Sequence, residues 1–313
     1  MRIVFMGTPE FAVASLDVLV KNGYNVVAVV TVPDKPAGRG QLIQQSAVKK
    51  YAIENGLPVL QPEKLKDEHF INQLKALNAD LQIVVAFKML PEIVWNMPPL
   101  GTYNLHASLL PKYRGAAPIN WAIINGETES GVTSFKLKHE IDTGNILLQE
   151  KVAIYPTTTA GELHDQLMHL GAKVILKTVQ TIESGNYELK PQDDALSIHA
   201  PKIFKDTCKI NWQQPVEAIY NRIRGLSPYP AAYTEFKDKN NQLVSVKLFV
   251  VEKQPSPISE SAGTVSSDGK SYLRVACNNG YIYIKELQLA GKKRISIEEF
   301  LRGFKLEDTF SFL

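Results

Sequence analysis

The chain has 313 residues, with 35 Lys and Arg against 32 Asp and Glu, and 44% of its residues are apolar. This balance is typical of a folded globular protein and excludes an intrinsically disordered chain. The apolar runs are shorter than the roughly 20 residues of a membrane-spanning helix, and two cysteines without a CxxC pair exclude a disulfide framework and a thiolate zinc cluster. We therefore expect a cytoplasmic protein with free thiols and two domains.

The first 185 residues alternate between strand and helix patterns. A short apolar run ends at Gly7, and Thr8 and Pro9 then mark the start of a helix. A β-branched run over 25–32 is typical of a strand buried on both faces of a parallel sheet. The other predicted elements are helices over 48–55, 68–77, 91–95, 117–125 and 160–184, and strands over 58–60, 81–87, 132–138 and 146–154, with one more ending near residue 106. This alternation predicts an α/β fold with a Rossmann-like doubly wound N-terminal domain.

Two regions depart from that alternation. Residues 33–46 form an unusually long Gly-, Pro- and Lys/Arg-containing loop. Beyond about residue 187 the pattern dissolves, and short strands follow a predicted helix at 216–224 that ends at Gly225. The strands are predicted over 232–236, 244–252, 272–276 and 281–287, before a last helix that opens with a capping box of Ser296 and Glu299. We expect a first domain over 1–189, a linker over 190–207 and a small β-barrel over 208–313.

The positive charge is unevenly distributed between these regions. Residues 1–200 contain 18 Lys and Arg against 20 Asp and Glu, whereas residues 201–313 contain 17 against 12. A basic C-terminal region points to a polyanionic partner. An ordinary solvated surface explains the same counts, so charge alone leaves both interpretations open.

Asn104 and His106 carry the strongest chemical signal. Residues two apart on a strand share a face, and the carboxyl end of a parallel strand opens onto the crevice where α/β sheets bind ligands. Asparagine can donate to a developing oxyanion, and histidine exchanges a proton near neutral pH. A hydrogen-bonded histidine at a strand end is the alternative that the residues leave open.

Asp142 lies in a polar turn after the following strand. A carboxylate there can reach a neighbouring strand end and fix the tautomer of His106, as in a hydrolase triad, although a turn-forming role is the alternative. His139 and Glu140 in the same turn lack an HExxH pattern, so no metal site is expected. Dinucleotide binding is disfavoured because no GxGxxG follows the first strand.

A long motif surrounds the Asn104 and His106 pair. It consists of Asn104-Leu105-His106, followed by Ser108-Leu109-Leu110-Pro111-Lys112-Tyr113-Arg114-Gly115-Ala116-Ala117-Pro118, with Asp142-Thr143-Gly144 downstream. This motif resembles the folate-dependent formyltransferases. The opening at 7–12 and the loop at 33–40 resemble the members that act on methionyl-tRNA, and the likeness covers essentially the whole chain, including 290–293.

The resemblance implies an activity. It implies transfer of the formyl group of 10-formyltetrahydrofolate to the α-amino group of initiator methionyl-tRNA, which serves translation initiation. Asn104 and protonated His106 match the catalytic pair that donates to the negative oxygen, and Asp142 matches the third member, which relays a proton from the attacking amine. The formyltransferase catalytic domain would be 1–189 and an OB-like, tRNA-binding barrel 208–313. A monomer without metal or membrane attachment is expected.

The resemblance also implies the binding residues. The folate site would be formed by Ser108, Leu109, Leu110, Pro111, Phe87, Met89 and Leu90. The tRNA would contact Lys35, Arg39, Lys292, Lys293 and Arg294. Family members commonly have a glycine in the loop at 87–91, whereas this chain has none.

Three other functions fit parts of the sequence. Relatives formylate a glycinamide ribonucleotide or an amino sugar with the same trio of residues. A single-domain purine enzyme would end near residue 200, and the basic C-terminal region together with Lys35 and Arg39 favours tRNA over an amino sugar. A non-catalytic RNA-binding module is disfavoured by the joint presence of Asn104, His106 and Asp142.

Overall fold

The structure, a computed structural model, describes residues 1–37, 42–238, 240–304 and 311–313. It divides into two compact units. The first comprises Met1–Gly115, Glu129–Val152 and His164–Ala200, and the second comprises Ala116–Thr128, Ala153–Leu163 and Pro201–Leu313. Segments 116–128 and 153–163 thus pack with C-terminal residues. The sequence instead predicts two continuous domains, one ending at residue 189 and the other beginning at residue 208. The functional division at those boundaries stays a prediction.

A seven-stranded sheet forms the centre of the first unit. The strands up to residue 200 are β1 (Arg2–Gly7), β2 (Asn25–Val30), β3 (Lys35–Ala37), β4 (Leu42–Gln44), β5 (Val59–Leu60), β6 (Leu81–Val85), β7 (Thr102–His106), β8 (Arg114–Gly115), β9 (Glu129–Lys136), β10 (Ile146–Ala153) and β11 (His199–Ala200). The sheet has the order β10-β9-β7-β6-β1-β2-β5. Strands β5, β2, β1, β6 and β7 are parallel, and β9 is antiparallel to β7. The predicted Rossmann-like α/β architecture is confirmed.

Six helices connect these strands. They are α1 (Glu10–Lys21), α2 (Ala47–Glu54), α3 (Glu68–Ala76), α4 (Glu92–Trp95), α5 (Pro118–Ile124) and α6 (Ala160–Ser184). Ser46 and Asp67 cap α2 and α3 by accepting backbone hydrogen bonds from Lys49 and Phe70. The predicted helices over 48–55, 68–77, 91–95, 117–125 and 160–184 are confirmed to within one residue at each end. Among the described residues, none of the helices combines the length and the apolar composition of a membrane-spanning segment.

Gly7 allows the first strand to turn tightly into α1. Its neighbours Ile3 and Phe5 are fully buried, as expected for a central strand covered on both faces. A Cβ at Gly7 would lie 2.7 Å from the Cβ of Ala12 and 3.0 Å from the carbonyl oxygen of Val85. A larger residue would therefore push the helix away from the end of β6.

The long loop predicted at 33–46 contains a small hairpin. Strands β3 and β4 pair antiparallel, with Lys35 opposite Gln44 and Pro36 opposite Ile43. Prolines and glycines around these three-residue strands hide them from a pattern search. Residues 38–41 lie outside the described ranges.

The second unit contains one antiparallel sheet. Its elements from residue 201 onwards are α7 (Val216–Leu226), β12 (Ala232–Lys237), β13 (Leu243–Pro255), β14 (Val265–Ser267), β15 (Leu273–Cys277), β16 (Gly280–Leu289), β17 (Ile295–Ser296) and α8 (Ile297–Gly303). The sheet order is β12-β13-β16-β15-β14, with β17 paired to β16. Helix α7 continues through Gly225 rather than ending there, because the missing side chain admits Ile124 of α5, which lies 2.6 Å from where a Cβ would be. The capping box of Ser296 and Glu299 is confirmed.

The last residues join the two edges of this sheet. The N–H of Phe312 donates to the carbonyl of Gly263 at 2.9 Å, and the N–H of Leu313 donates to Glu235 of β12 at 2.8 Å. The ring of Phe312 stacks on Trp212 inside the core, with the ring centres 5.9 Å apart. The predicted small β domain is confirmed, and it is an antiparallel half-barrel.

Candidate active site

Asn104 and His106 lie at the carboxyl end of β7, in the interior of the first sheet. β7 pairs in parallel with β6 on one side and antiparallel with β9 on the other. The side chain of Asn104 is partly exposed and has no hydrogen-bond partner within the described ranges. Its amide is therefore available to a group bound at the edge of the sheet where parallel α/β proteins hold ligands.

His106 is only 7% exposed, and one of its ring nitrogens is held by the backbone. Nε2 lies 2.8 Å from the carbonyl oxygen of Tyr113. Because a carbonyl oxygen can only accept, Nε2 carries a proton in this arrangement. Tyr113 has a φ of +62°, a left-handed turn that directs its carbonyl back to β7.

The other nitrogen of His106 faces Asp142. Nδ1 lies 3.7 Å from Oδ2 of Asp142, which is beyond hydrogen-bond distance. The proton on Nε2 is held by Tyr113, while the carboxylate of Asp142 lies beside the other ring nitrogen, so the triad-like role of Asp142 stays a prediction. Nδ1 is the nitrogen that remains for proton transfer.

Asp142 occupies the turn between β9 and β10. Its Oδ2 accepts a hydrogen bond of 2.9 Å from the N–H of Gly115. Gly115 has a φ of +122°, and a Cβ there would lie 2.6 Å from the carbonyl oxygen of Ala200. A Cβ at Gly144 would lie 1.8 Å from the carbonyl oxygen of Lys136. The glycines of the sequence motifs are thus sterically required at the positions that flank Asp142.

The loop at 108–111 is held by hydrogen bonds to the adjacent backbone and to side chains of β9 and β10. The hydroxyl of Ser108 donates to the carbonyl of Lys112 at 2.6 Å. Thr133 on β9 donates to the carbonyl of Ser108 at 2.7 Å and accepts from the N–H of Leu110 at 3.2 Å. Gln149 on β10 donates to both Leu110 and Thr133, at 3.0 and 2.8 Å. The loop therefore has a defined shape before any ligand binds.

The four residues predicted for the folate site in this loop differ in exposure. Ser108 and Leu110 are 0% and 3% exposed, so they shape the loop from inside. Leu109 and Pro111 are partly exposed. The surface that this loop offers to a ligand is therefore mainly that of Leu109 and Pro111.

The second predicted folate segment follows β6. Phe87 is partly buried against the core beneath it, Leu90 is buried, and Met89 is 74% exposed. Lys88 lies between them with its Nζ 5.9 Å from the centre of the Phe87 ring. An exposed methionine next to partly exposed aromatic surface is suited to a flat apolar ligand.

Lys35, predicted to bind tRNA, lies exposed at the start of the β3–β4 hairpin. The base of the hairpin is held by Asp34, whose Oδ2 is 2.5 Å from Nζ of Lys49 and whose Oδ1 accepts from Gln61 at 2.8 Å. These hydrogen bonds, from Lys49 first and then Gln61, lower the pKa of the Asp34 carboxyl. Arg39, the other residue predicted from this loop, lies outside the described ranges.

The C-terminal residues predicted to bind tRNA are exposed in different ways. Lys292 and Lys293 extend into solvent and have no ion pair in the portion of the chain described. Arg294 is paired with Glu286 at 2.5 Å, and its guanidinium lies over the ring of Phe249. Of these three residues, Lys292 and Lys293 therefore offer positive charge that no described acidic side chain pairs with.

Sequence reasoning missed Thr133, Gln149, Gln192 and the carbonyl of Tyr113. Thr133 is fully buried in β9, as is its neighbour Ser134, and hydroxyl residues in a buried strand are a signal that could have found it. Gln192 lies in the predicted linker and donates to the turn that carries Asp142. A backbone carbonyl such as that of Tyr113 has no signature in residue type.

The described side chains together favour acyl transfer. They provide an unpaired amide donor, an imidazole with one nitrogen held by the backbone, and a carboxylate beside the other nitrogen. Within the described ranges there is no group of three or more His, Cys, Asp or Glu that could hold a metal ion. An amide donor next to proton-transferring groups is suited to stabilising an oxyanion.

Known protein families match both parts of the sequence. The pattern of the formyl transferases matches residues 1–179, and that of the formyl transferase C-terminal domain matches residues 202–305. The chain belongs to the formyltransferase family. The resemblance carried by residues 104–118 and 142–144 is thereby confirmed, and the protein is an enzyme of the transferase class.

Methionyl-tRNA formyltransferases are similar to this formyltransferase over nearly its whole length. The one from Bacteroides fragilis (strain YCH46) is 56% identical over 314 residues, covering 99% of this chain and 97% of that protein. The one from Parabacteroides distasonis is 57% identical over 311 residues, covering 97% and 96%. Both family domains are therefore shared with these relatives.

A solved structure shares the fold of this formyltransferase. The sugar 3N-formyl transferase WlaRD, crystallised in the presence of dTDP and 5-N-formyl-THF, has a TM-score of 0.66 and 23% identity, covering 94% of this chain and 99% of that chain. At this identity the likeness concerns the fold alone. It agrees with a Rossmann-like domain followed by an antiparallel half-barrel.

Proposed function

We propose that this formyltransferase transfers the formyl group of 10-formyltetrahydrofolate to the α-amino group of initiator methionyl-tRNA, as a monomer in the cytoplasm. The observation that carries the proposal is the arrangement at the end of β7. There no described residue hydrogen-bonds to the amide of Asn104, and His106 has one nitrogen held by Tyr113 and the other turned towards Asp142. The similarity to methionyl-tRNA formyltransferases supports the choice of acceptor.

Asn104 stabilises the negative oxygen. When an amine attacks a formyl carbonyl, charge moves onto the carbonyl oxygen, and a fixed N–H donor stabilises it more than the uncharged substrate. The amide of Asn104 is held on a central strand and makes no hydrogen bond within the described ranges, so binding breaks no internal contact. One such donor is worth about 2.7–4 kcal/mol of barrier.

In its protonated form, His106 supplies the second donor through Nδ1. Its Nε2–H is committed to the carbonyl of Tyr113, at 2.8 Å. A proton on Nδ1 is therefore the one that His106 can share with the substrate oxygen or pass on. The bond to Tyr113 also fixes the ring, so the proton is presented in one direction.

Asp142 accepts the proton that the attacking amine loses. Its Oδ2 is held by the N–H of Gly115 and lies 3.7 Å from Nδ1 of His106. A free α-amino group has a pKa of about 8, so part of it is already unprotonated at neutral pH. The carboxylate needs to accept a proton only as the new C–N bond forms. When the intermediate collapses, the bond between the formyl carbon and N10 of the folate breaks, N10 takes up the proton, and tetrahydrofolate leaves.

The folate binds against the loops at 87–91 and 108–111. The accessible apolar side chains there are Leu109, Pro111, Phe87 and Met89, while Ser108 and Leu110 keep the first loop in shape. The structure shows preformed apolar surface in these loops, which suits a flat ring system. For the transfer, the bound folate must place its formyl carbon at the end of β7.

The tRNA binds through cationic side chains on both units. Lys35 and Arg39 of the 33–46 loop belong to the catalytic domain, at 1–189, and Lys292 and Lys293 to the OB-like domain, at 208–313. The ammonium groups of Lys292 and Lys293 are exposed and have no ion pair with any described residue, which supports this role, since phosphate contacts release counterions and need accessible charge. Arg294 contributes less because Glu286 neutralises it.

A transfer assay tests the proposal. Purified protein is given formyl-labelled 10-formyltetrahydrofolate and, separately, initiator methionyl-tRNA, elongator methionyl-tRNA and a dTDP-linked amino sugar. We expect label in initiator methionyl-tRNA, with lower transfer to the elongator and none to the sugar. Transfer to the sugar alone would contradict the assignment.

A further inference from the structure

We propose that Gln192 is a positioning residue for the transfer reaction. It holds the turn at 142–144 in the one conformation that places the carboxylate of Asp142 beside His106. This inference rests on the proposed function, because it assumes that Asp142 acts in the chemistry. Gln192 comes from a segment whose sequence predicts only a linker.

The amide of Gln192 is fully used between two parts of the site. Its Nε2 donates to the carbonyl oxygens of Asp142 and Gly144, at 2.9 and 2.8 Å. Its Oε1 accepts from Nε and Nη2 of Arg114, at 3.0 and 2.7 Å. The orientation of the amide is unambiguous, because the guanidinium can only donate and the carbonyls can only accept.

These bonds close a ring with the carboxylate. Arg114 precedes Gly115, and the N–H of Gly115 donates to Oδ2 of Asp142 at 2.9 Å. Residues 114–115 therefore hold Asp142 twice, directly at its carboxylate and through Gln192 at its carbonyl. Fixing both ends of one residue determines where its side chain points.

The turn needs such a restraint because of its backbone. Asp142 has a φ of +54°, in the left-handed region that costs a residue with a side chain about 1 kcal/mol or more. Such a conformation persists only where the surroundings hold it. Without Gln192 the turn can relax, and Oδ2 then moves away from the position 3.7 Å from Nδ1 of His106.

The position of Gln192 is itself fixed. Two residues earlier, Lys190 exchanges backbone hydrogen bonds with Ile146 at the start of β10, at 2.7 and 2.9 Å. Further on, the N–H of Arg114 donates to the carbonyl of Ile198 at 2.9 Å. The amide therefore acts from a rigid support rather than from a mobile connection.

Only an amide of this length satisfies both sides. A glutamate would still accept from Arg114, but it would turn carboxylate oxygens towards the two carbonyls and lose both donated bonds. An alanine would lose all four bonds. Comparing the two substitutions therefore separates the effect of losing the bonds to the turn from the effect of losing the bonds to Arg114.

The first experiment measures steady-state kinetics of Gln192→Ala and Gln192→Glu in the full chain. We expect kcat to fall on the order of 10- to 100-fold in both variants, since a displacement of about 1 Å in a catalytic group costs this much. KM for folate and for methionyl-tRNA should stay within about twofold, and Tm within a few degrees. The matched control is Gln180→Ala, which makes the same change at an exposed position of α6 and should retain full activity.

The second experiment repeats Gln192→Ala in an Asp142→Asn background. Asparagine tolerates positive φ, so the turn survives. If Gln192 acts through the carboxylate, the double variant is no slower than Asp142→Asn by more than about twofold. A full additional 10- to 100-fold loss would show that Gln192 acts elsewhere and would overturn the proposal.

The single variants separate this inference from the proposed function. A slow Asp142→Asn enzyme together with a fully active Gln192→Ala enzyme overturns the role of Gln192 alone. A fully active Asp142→Asn enzyme overturns the proposed role of Asp142, and with it the inference. A wild-type chain that formylates no methionyl-tRNA contradicts the proposed function itself.

Discussion

The turn at 142–144 in the first unit and the basic surface formed by Lys292 and Lys293 in the second unit are built on different principles. At the turn, Asp142 is held by the N–H of Gly115 and by the amide of Gln192, each at 2.9 Å. On the basic surface, Lys292 and Lys293 extend into solvent. The first arrangement fixes the carboxylate through hydrogen bonds, whereas the second only concentrates charge.

This difference determines how each region responds to substitution. A hydrogen bond in a partly buried site depends on the position of a single pair of groups. Replacing one side chain there can therefore remove a large share of the rate. Exposed charges act together through solvent, are screened by salt within about 8 Å at physiological ionic strength, and contribute little each. We therefore expect steep single-residue effects on kcat at the turn and shallow, salt-dependent effects on tRNA affinity at the basic surface.

The largest effect is expected for Asn104→Ala. The substitution removes the unpaired amide donor without breaking an internal hydrogen bond, so the fold should be unchanged. The rate of formyl transfer should fall by about 10²–10³-fold at saturating substrates. Rapid-quench measurement of labelled product tests this, and a loss smaller than about fivefold would remove Asn104 from the oxyanion site.

The sequence predicts the side chains of the candidate site but not the backbone groups that hold them. Strand periodicity places Asn104 and His106 on one face at the end of β7, and the motif around them identifies Asp142, because each of these depends on residue type and spacing. The carbonyl of Tyr113 that fixes His106 is backbone, and any residue could supply it. A sequence pattern therefore finds the groups proposed to react but misses the groups that hold them in place.

The elements of both units differ in how far hydrophobic periodicity predicts them. It correctly predicts the helices and most of the strands. It carries no information about strand direction, so the antiparallel pairing of β9 with β7 was not expected. A glycine near the end of a helix pattern also predicts that the helix ends there. Helix α7 instead continues past Gly225, which allows α7 to pack closely on Ile124.

An intermediate effect is expected for Thr133→Val. This change keeps the shape of the side chain but removes the hydroxyl that joins Ser108, Leu110 and Gln149. Leaving these groups unpaired costs about 1–3 kcal/mol, part of which appears as lower stability. KM for folate should rise about tenfold while KM for methionyl-tRNA stays constant.

Initial-rate kinetics and thermal unfolding measure the two consequences of Thr133→Val. The matched control is Thr157→Val, at an exposed position, which should leave both unchanged. Equal increases of KM for folate and for tRNA would show that the loop at 108–111 is not specific to the folate.

The smallest effect is expected for reversing charge on the basic surface. The double variant Lys292→Glu/Lys293→Glu should raise KM for methionyl-tRNA by about 3- to 10-fold at low salt, with KM for folate unchanged. The difference from wild type should shrink as salt increases, because both lysines are exposed.

A control with the same net charge sharpens this test. Lys66→Glu/Lys75→Glu alters two exposed lysines of the first unit and should change KM for tRNA by less than about twofold. If the two pairs raise KM for tRNA equally, the surface around 292–293 has no particular role and only total charge matters.

The most direct test of the account compares two variants in one single-turnover experiment at saturating folate and methionyl-tRNA. Under these conditions binding is complete, so the measured rate reports the chemical step alone. The account predicts that Asn104→Ala slows this step by about 10²–10³-fold, whereas Lys292→Glu/Lys293→Glu leaves it at the wild-type rate. A wild-type rate for Asn104→Ala, or a comparable loss in the lysine variant, would contradict the separation of chemistry from tRNA binding.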